Sequence, residues 1–211
     1  ENCGGVVIAN PNAPTGRSVD LEDIRRVLEE HRDVVVLVDE AYVDFGGVSA
    51  DTLLKEYDNL VVVRTLSKSR ALAGLRVGYA LGSPNLISGL CCVRDSINSY
   101  TVDRLAQAGA VAALVDGPYF EEMRERVIRT RERTEERLRA MGFAVLESKA
   151  NFLFVSHPKR TGKARLDGLR EQGILVRWFD RPRIGNYLRI SVGTDDEMDA
   201  LRAALKALTE G

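Results

Sequence analysis

The chain is predicted to be an α/β protein, with a mostly parallel sheet in a large first domain and a smaller α+β domain at its C-terminal end. Three observations carry the prediction. Short β-branched runs, GVVIA (5–9), VVVLV (34–38), LVVV (60–63) and VGYAL (77–81), lack polar alternation, as strands buried on both faces do. A helical pattern stands between the first two, which makes a strand–helix–strand unit. From Gly142 onward, shorter strands alternate with helices.

The elements follow in order. In SVDLEDIRRVLEEH (18–31), Ser18 or Asp20 can cap a helix whose Leu21, Ile24, Val27 and Leu28 share one face. The alanine-rich TVDRLAQAGAVAALV (101–115) reads as a helix packed closely against others. Gly117 and Pro118 open a long, charge-laced helix to Met141, and Gly142 is placed to terminate it. Within it, the run RERVIRTRERTEER (124–137) reads as a solvated face. Strands FAVLE (143–147), FLFVS (152–156), ILVRWF (174–179) and YLRISV (187–192) then alternate with helices near 163–172 and 195–208. The expected division is a domain over 1–117, a connecting helix over 118–141 and a domain over 142–211.

Composition narrows the function. Apolar residues make up 45% of the 211 and charged residues 29%, enough to cover a core with a polar surface. With 30 basic residues against 31 acidic ones the net charge is -1, so no global field draws in nucleic acid or an anionic membrane. No run approaches the roughly 20 apolar residues that span a bilayer, and the start lacks the features of a signal peptide. A cytoplasmic location is therefore expected. Cys3, Cys91 and Cys92 are too few and too poorly spaced for a disulfide framework or a zinc site, so no metal is expected. The chain opens on Glu1 and enters an apolar run at once, so it is expected to be cut from something longer.

Ligands of open α/β sheets gather beyond the carboxyl ends of the strands. Three successive run-ends are polar there: NPNAPTG (10–16), DEAY (39–42) and TLSKS (65–69). Asp39 follows five aliphatic residues, where an unpaired charge is costly, so it needs a cationic or protonated partner. A helix N-cap or a structural ion pair would also satisfy it, and Tyr42 alone could be core. Lys68 could be a surface lysine. As a nucleophile toward a carbonyl it must be neutral part of the time, which burial or a nearby cation such as Arg76 or Arg64 would favour. The hydroxyls of Thr65 and Ser67 with the donor fork of Arg76 suit a phosphate dianion.

NPNAPTG, VLVDEAYVDF and TLSKSRALAGLRVG, in this order and spacing, resemble the fold type I pyridoxal-phosphate aminotransferases, specifically the histidinol-phosphate aminotransferase branch. The likeness runs from about residue 5 to residue 208. It implies that residues 1–117 are part of the large domain that binds pyridoxal 5'-phosphate. It implies that Lys68 forms the internal Schiff base with the cofactor aldehyde and shuttles a proton between the substrate α-carbon and the cofactor C4′. By the same likeness Asp39 pairs with the pyridine nitrogen, Tyr42 donates to the phenolic oxygen, and Thr65, Ser67 and Arg76 hold the phosphate. Arg189 matches the arginine that grips the substrate carboxylate or phosphate, and Arg177 could assist, although a solvated strand residue is the alternative there. Asn151 also matches a family pattern, with a turn or strand-start role as its other reading.

The implied reaction is reversible transamination of histidinol phosphate and 2-oxoglutarate to imidazole acetol phosphate and glutamate, a step of histidine biosynthesis. Phosphothreonine decarboxylation, aromatic transamination and a non-catalytic truncated domain are the alternatives. The substrate is a small amino acid or amino phosphate, and a homodimer is expected for the full-length protein. In two respects the sequence departs from the family. Ala13 stands where most relatives have an asparagine before PTG, leaving Asn12 beside it as a possible substitute. The resemblance also starts in mid-domain, so the 211 residues on their own are expected to bind the cofactor weakly and to turn over little or nothing.

Overall fold

The computed structural model describes residues 3–210. The chain divides into two compact units, one of residues up to Asn12 with Ser18–Glu122, the other of Ala13–Arg17 with Met123 onward.

In the first unit, β1 (Val6–Ala9), β2 (Val36–Asp39), β3 (Leu60–Thr65) and β4 (Gly78–Gly82) form one sheet in that order. β1, β2 and β3 are parallel, with Val6 opposite Val36 and Val36 opposite Leu60. Helix α1 (Leu21–Glu30) connects the first two strands, as its pattern predicts, and its Ile24 and Leu28 are buried against Val36, Val38, Leu60 and Val62. Asp20 occupies the N-cap, though its side chain makes no cap bond.

β4 departs from the parallel expectation, because it pairs antiparallel with β3, Thr65 lying opposite Gly78. Strand direction is set by the connection: a parallel partner needs a crossover, usually a helix, and here residues 66–77 form a returning loop with one short 3₁₀ turn at Ala73–Leu75. Burial on both faces is likewise only partly realised. Val7 in β1 is 75% exposed, and Gly78 and Tyr79 in β4 are exposed. One face of the sheet is covered by α1 and the turn at Ala50–Leu53, which leaves the apolar side chain of Val7 on the other face.

α2 (Pro84–Ile97) has no counterpart in the sequence reading, and none of its residues is buried. Its legible signals were Ser83 at the N-cap and Pro84 in the first turn. α3 (Arg104–Val115) forms as expected but is not closely packed: only Ala106 and Ala110 are buried, while Leu105, Val111, Leu114 and Val115 are exposed. Alanine permits close approach without requiring it. α4 (Gly117–Ala140) ends at a left-handed Gly142, φ +85°, as its position predicts.

In the second unit, β5 (Ala144–Val145), β6 (Phe152–Ser156), β7 (Arg177–Trp178) and β8 (Tyr187–Ser191) form an antiparallel sheet in the order β5-β6-β8-β7. α5 (Gly162–Glu171) and α6 (Asp195–Glu210) complete it. Leu153, Val155, Leu188 and Ile190 build its core with Leu138, Leu169 and Leu205. Leu153 is fully buried in the central β6. Leu153→Ala is expected to cost about 2–5 kcal/mol through the cavity it leaves, read as a lower denaturant midpoint at an unchanged slope for this unit.

The charge run in α4 is not simply a solvated face. Thr130, Arg131 and Thr134 are buried, Arg131 donates to the Ala150 carbonyl at 2.9 Å, and Thr130 donates to Asp195 at 2.7 Å. Long arginine stems reach inward along a helix whose charge pattern looks solvated throughout. Among the described residues, no helix is long and apolar enough to cross a membrane, and no cluster of His, Cys, Asp or Glu could hold a metal ion.

Candidate active site

The carboxyl ends of β2 and β3 are neighbours, since the Glu40 N–H donates to the Val63 carbonyl at 2.8 Å and the Asn10 N–H to the Asp39 carbonyl at 2.9 Å. DEAY therefore leaves the sheet beside the polar end of β3. Strand alternation decides which carboxylate goes inward. Val36, Val38 and Glu40 share the core face, and Glu40 is only 2% exposed. Asp39 is half-buried, and its carboxylate accepts from the Ala41 N–H at 3.0 Å. The deeply buried acid is thus Glu40, while Asp39, at the strand end, is half-buried. Asp39 has no cationic partner among the described residues.

Glu40 anchors a network that sequence reasoning missed. Its oxygens accept from the Ala50 N–H at 2.6 Å, the Ser49 hydroxyl at 2.7 Å and Arg64 Nε at 3.0 Å. Arg64 Nη2 also donates to Ser49 Oγ at 2.6 Å and Asp51 at 2.8 Å. Burial works against the Arg64 charge, but bonds to Tyr79 and Glu40 outweigh it and hold its pKa above the usual value. Arg64 is therefore engaged by Glu40 and Asp51. The legible signal was the period-two alternation through VLVDE.

Lys68 lies in the loop after β3 and is exposed. Its Nζ stands 5.5 Å from the Tyr42 ring centroid, and among the described residues it makes no ion pair. The Thr65 hydroxyl accepts from the Ser67 N–H at 3.1 Å and donates to the Val77 carbonyl at 3.3 Å. The Leu66 N–H donates to the Val77 carbonyl at 3.0 Å, so Ser67 and Arg76 follow the last bonded pair of the β3–β4 ladder. Arg76 is exposed, and its Nη1 donates to the Ala73 carbonyl at 2.8 Å. Ala71 and Arg76 both have φ of +55°. Positive φ in non-glycine residues costs about 1–3 kcal/mol and clusters at functional sites. Ser69 donates to Asp44, and Arg70 Nη1 donates to the Ala113 carbonyl at 2.5 Å while its guanidinium lies 3.5 Å from the Phe120 ring centroid. These contacts tie both flanks of Lys68 to the rest of the unit.

NPNAPTG is divided between the units after Asn12. Buried Asn10 accepts from the Val19 N–H at 2.8 Å. Gly16, φ +78°, approaches Ser148 so closely that a side chain there would collide with it, and its carbonyl accepts from the Lys149 N–H at 2.8 Å. Asn12 is half-buried and Ala13 exposed.

In the second unit, Arg177 and Arg189 are direct cross-strand partners. Their guanidinium carbons lie 5.3 and 5.7 Å from the centroid of the Phe179 ring, and that of Arg189 also lies 5.1 Å from Phe152. Like charges opposite each other in a ladder repel. Neither has an ion-pair partner among the described residues. Asn151 immediately precedes β6, its carbonyl accepting from the Val192 N–H at 2.9 Å.

A carboxylate, a phenol, an amine and two hydroxyls, those of Asp39, Tyr42, Lys68, Thr65 and Ser67, thus stand at or just beyond the carboxyl ends of β2 and β3 in a largely parallel sheet. The family model for aminotransferase class I and II matches residues 1–205, and the chain belongs to that family. It is similar to histidinol-phosphate aminotransferases from Clostridium acetobutylicum, 54% identical over 203 residues, and from Marinomonas sp., 56% identical over 206. These alignments cover 96% and 97% of this chain and 58% of each relative, so the chain spans less than two thirds of their length. The crystal structure of a histidinol-phosphate aminotransferase from Sinorhizobium meliloti in complex with pyridoxal-5'-phosphate superposes with a TM-score of 0.89 at 30% identity, covering 100% of this chain and 58% of that one.

Proposed function

We propose that the chain carries the lysine-bearing part of a pyridoxal-phosphate-dependent histidinol-phosphate aminotransferase, with 2-oxoglutarate and glutamate as the other reactant pair. One observation carries the reading: Lys68 Nζ stands 5.5 Å from the Tyr42 ring centroid, at the same sheet edge where Asp39 offers a carboxylate with no cationic partner. The donor set fits the cofactor, with an amine for its aldehyde, an acid for its ring nitrogen, and hydroxyls with Arg76 for its phosphate. When bound, the cofactor supplies an electron sink for charge that develops at the substrate α-carbon.

The residues divide the work. Lys68 would hold the cofactor through its amine and would take the proton from the substrate α-carbon as a general base. Asp39 would hold the proton on the ring nitrogen, and one of its oxygens already accepts from the Ala41 N–H. The Tyr42 phenol would donate to the ring oxygen. Thr65, Ser67 and Arg76 would hold the phosphate, and the loop bonds around Thr65 fix its hydroxyl and the Ser67 backbone before anything binds.

Arg177 and Arg189 bind the substrate's phosphate or carboxylate, since two forks facing each other across a ladder suit an anion that each can grip through two bonds. The names of the relatives support phosphate as the main anion, with 54% and 56% identity to histidinol-phosphate aminotransferases. The crystal structure of an L-threonine-O-3-phosphate decarboxylase from Porphyromonas gingivalis is 25% identical, which gives the decarboxylase reading less support. Family likeness also supports a homodimer of the full-length protein and a cytoplasmic location.

The intact enzyme tests the reading directly. Histidinol phosphate with 2-oxoglutarate is expected to turn over with far higher kcat/KM than phenylalanine, and the reverse preference would sink the substrate assignment. Arg189→Lys is expected to raise KM for histidinol phosphate about 10- to 150-fold, the equivalent of losing a charge-assisted hydrogen bond. Steady-state kinetics in both amino donors checks this.

A further inference from the structure

We propose that Arg165, remote in sequence from every group assigned above, is a positioning residue that sets Arg177 and Arg189 in register. The inference rests on the reading of that pair as the anion grip.

Arg165 lies in the first turns of α5 and is 0% exposed. Its Nη1 donates to the His157 and Arg160 carbonyls at 2.6 and 2.5 Å, and its Nη2 to the Asn186 carbonyl at 2.6 Å. Nε is buried with no hydrogen-bond partner, and among the described residues no carboxylate pairs with the guanidinium. Burial pushes its pKa below the usual value. A buried cation held by neutral carbonyls alone is a poor source of stability. What it does achieve is geometric. His157 follows the last residue of β6 and Asn186 precedes the first residue of β8, so one planar fork ties the end of one central strand to the start of the other.

The tie matters because β7 has so little of its own. It is two residues long and meets β8 only at Arg177 with Arg189 and Trp178 with Leu188. The connection after it must therefore be held from behind. The Trp178 indole N–H donates to the Gly185 carbonyl at 2.7 Å. Gly162, at the start of α5, comes so close that a Cβ there would stand 2.6 Å from that same carbonyl and 3.0 Å from the Trp178 ring. α5 thus backs residues 178–187 at two points, Gly162 against Gly185 and Arg165 against Asn186. Release of either lets the short β7 shift along β8, and the two guanidiniums lose their shared position at Phe179.

The test uses the intact enzyme and three variants, Arg165→Lys, Trp178→Phe and Arg189→Lys. Inorganic phosphate, as a competitive inhibitor, reports on the grip without turnover, alongside KM, kcat and Tm. For Arg165→Lys and Trp178→Phe, the phosphate Ki and the KM for histidinol phosphate are expected to rise about 10-fold or more, toward the order of 10²-fold that misplacing a binding group brings. Over the same variants kcat is expected to stay within about threefold, the signature of lost uniform binding. A purely structural Arg165 would lower Tm and the amount of active enzyme and leave Ki and KM unchanged, and that result overturns the proposal. Trp178→Phe keeps the buried cation, so it decides the matter if Arg165→Lys does not fold. If Arg189→Lys leaves the phosphate Ki unchanged, the anion-grip reading fails and this inference fails with it. If Arg189→Lys weakens phosphate while the other two do not, only the positioning role is lost.

Discussion

Lys68→Arg is expected to lower turnover of the intact enzyme on the order of 10²- to 10⁴-fold, the range that a positioned acid–base group supplies. The same variant is expected to abolish borohydride fixation of pyridoxal phosphate to the peptide that contains residue 68. Arginine keeps the positive charge and nearly the length of lysine, so cradle electrostatics survive, but it cannot lose its proton to become a nucleophile or a base. The change therefore isolates the chemistry of the amine from its charge. Single-turnover absorbance and mass spectrometry of the reduced digest give the two readouts. Retained labelling at another lysine with near-normal turnover would remove Lys68 from the mechanism.

Glu40→Ala is expected to destabilise the first unit by about 3–5 kcal/mol, the cost of breaking a buried ion pair from one side. The side chain has no solvent exposure and holds Arg64 at 3.0 Å, while the Arg64 side chain is only 20% exposed. Without Glu40, Arg64 keeps Asp51 at 2.8 Å, but the Ala50 N–H loses its acceptor. Glu40→Gln is expected to cost less, about 1–3 kcal/mol, because the amide oxygen can still accept one bond while its NH2 meets another donor. Denaturant unfolding of the two variants orders them. Replacing Glu40 and Arg64 together by methionine is expected to recover most of the loss, because the larger part of the cost is a stranded charge. Equal stability of Glu40→Ala and the parent would mean that the network contributes nothing.

Much of this was legible in the residues alone. The apolar runs mark β1, β2 and β3, and the spacing of Ile24 and Leu28 marks the buried face of α1. Gly142 marks the end of α4 through its positive φ. The motifs containing Asp39, Tyr42 and Lys68 name the family, to which the chain belongs on a match over residues 1–205. The misses share a cause. An apolar run states that a segment is a strand and is silent on its direction, so β4 was read as parallel when the loop at 66–77 turns it back. Likewise, the alanines of α3 and the arginines of α4 do not state what lies opposite them, and their burial came out against expectation at Leu105 and Arg131.

Residue order thus established the chemistry on offer: an amine, an acid, a phenol and hydroxyls after strand runs, where a sheet collects its ligands, and arginine forks within the later strands. Folding settled which of them meet. Adjacent Asp39 and Glu40 part because successive strand residues face opposite ways, leaving one half-buried at the sheet edge and sending the other into the core with Arg64. Arg177 and Arg189, twelve positions apart, become partners because a ladder pairs residues by register across strands rather than by distance along the chain. Local patterns record the conformation each segment prefers, whereas these pairings depend on which surfaces remain to be buried once the segments come together.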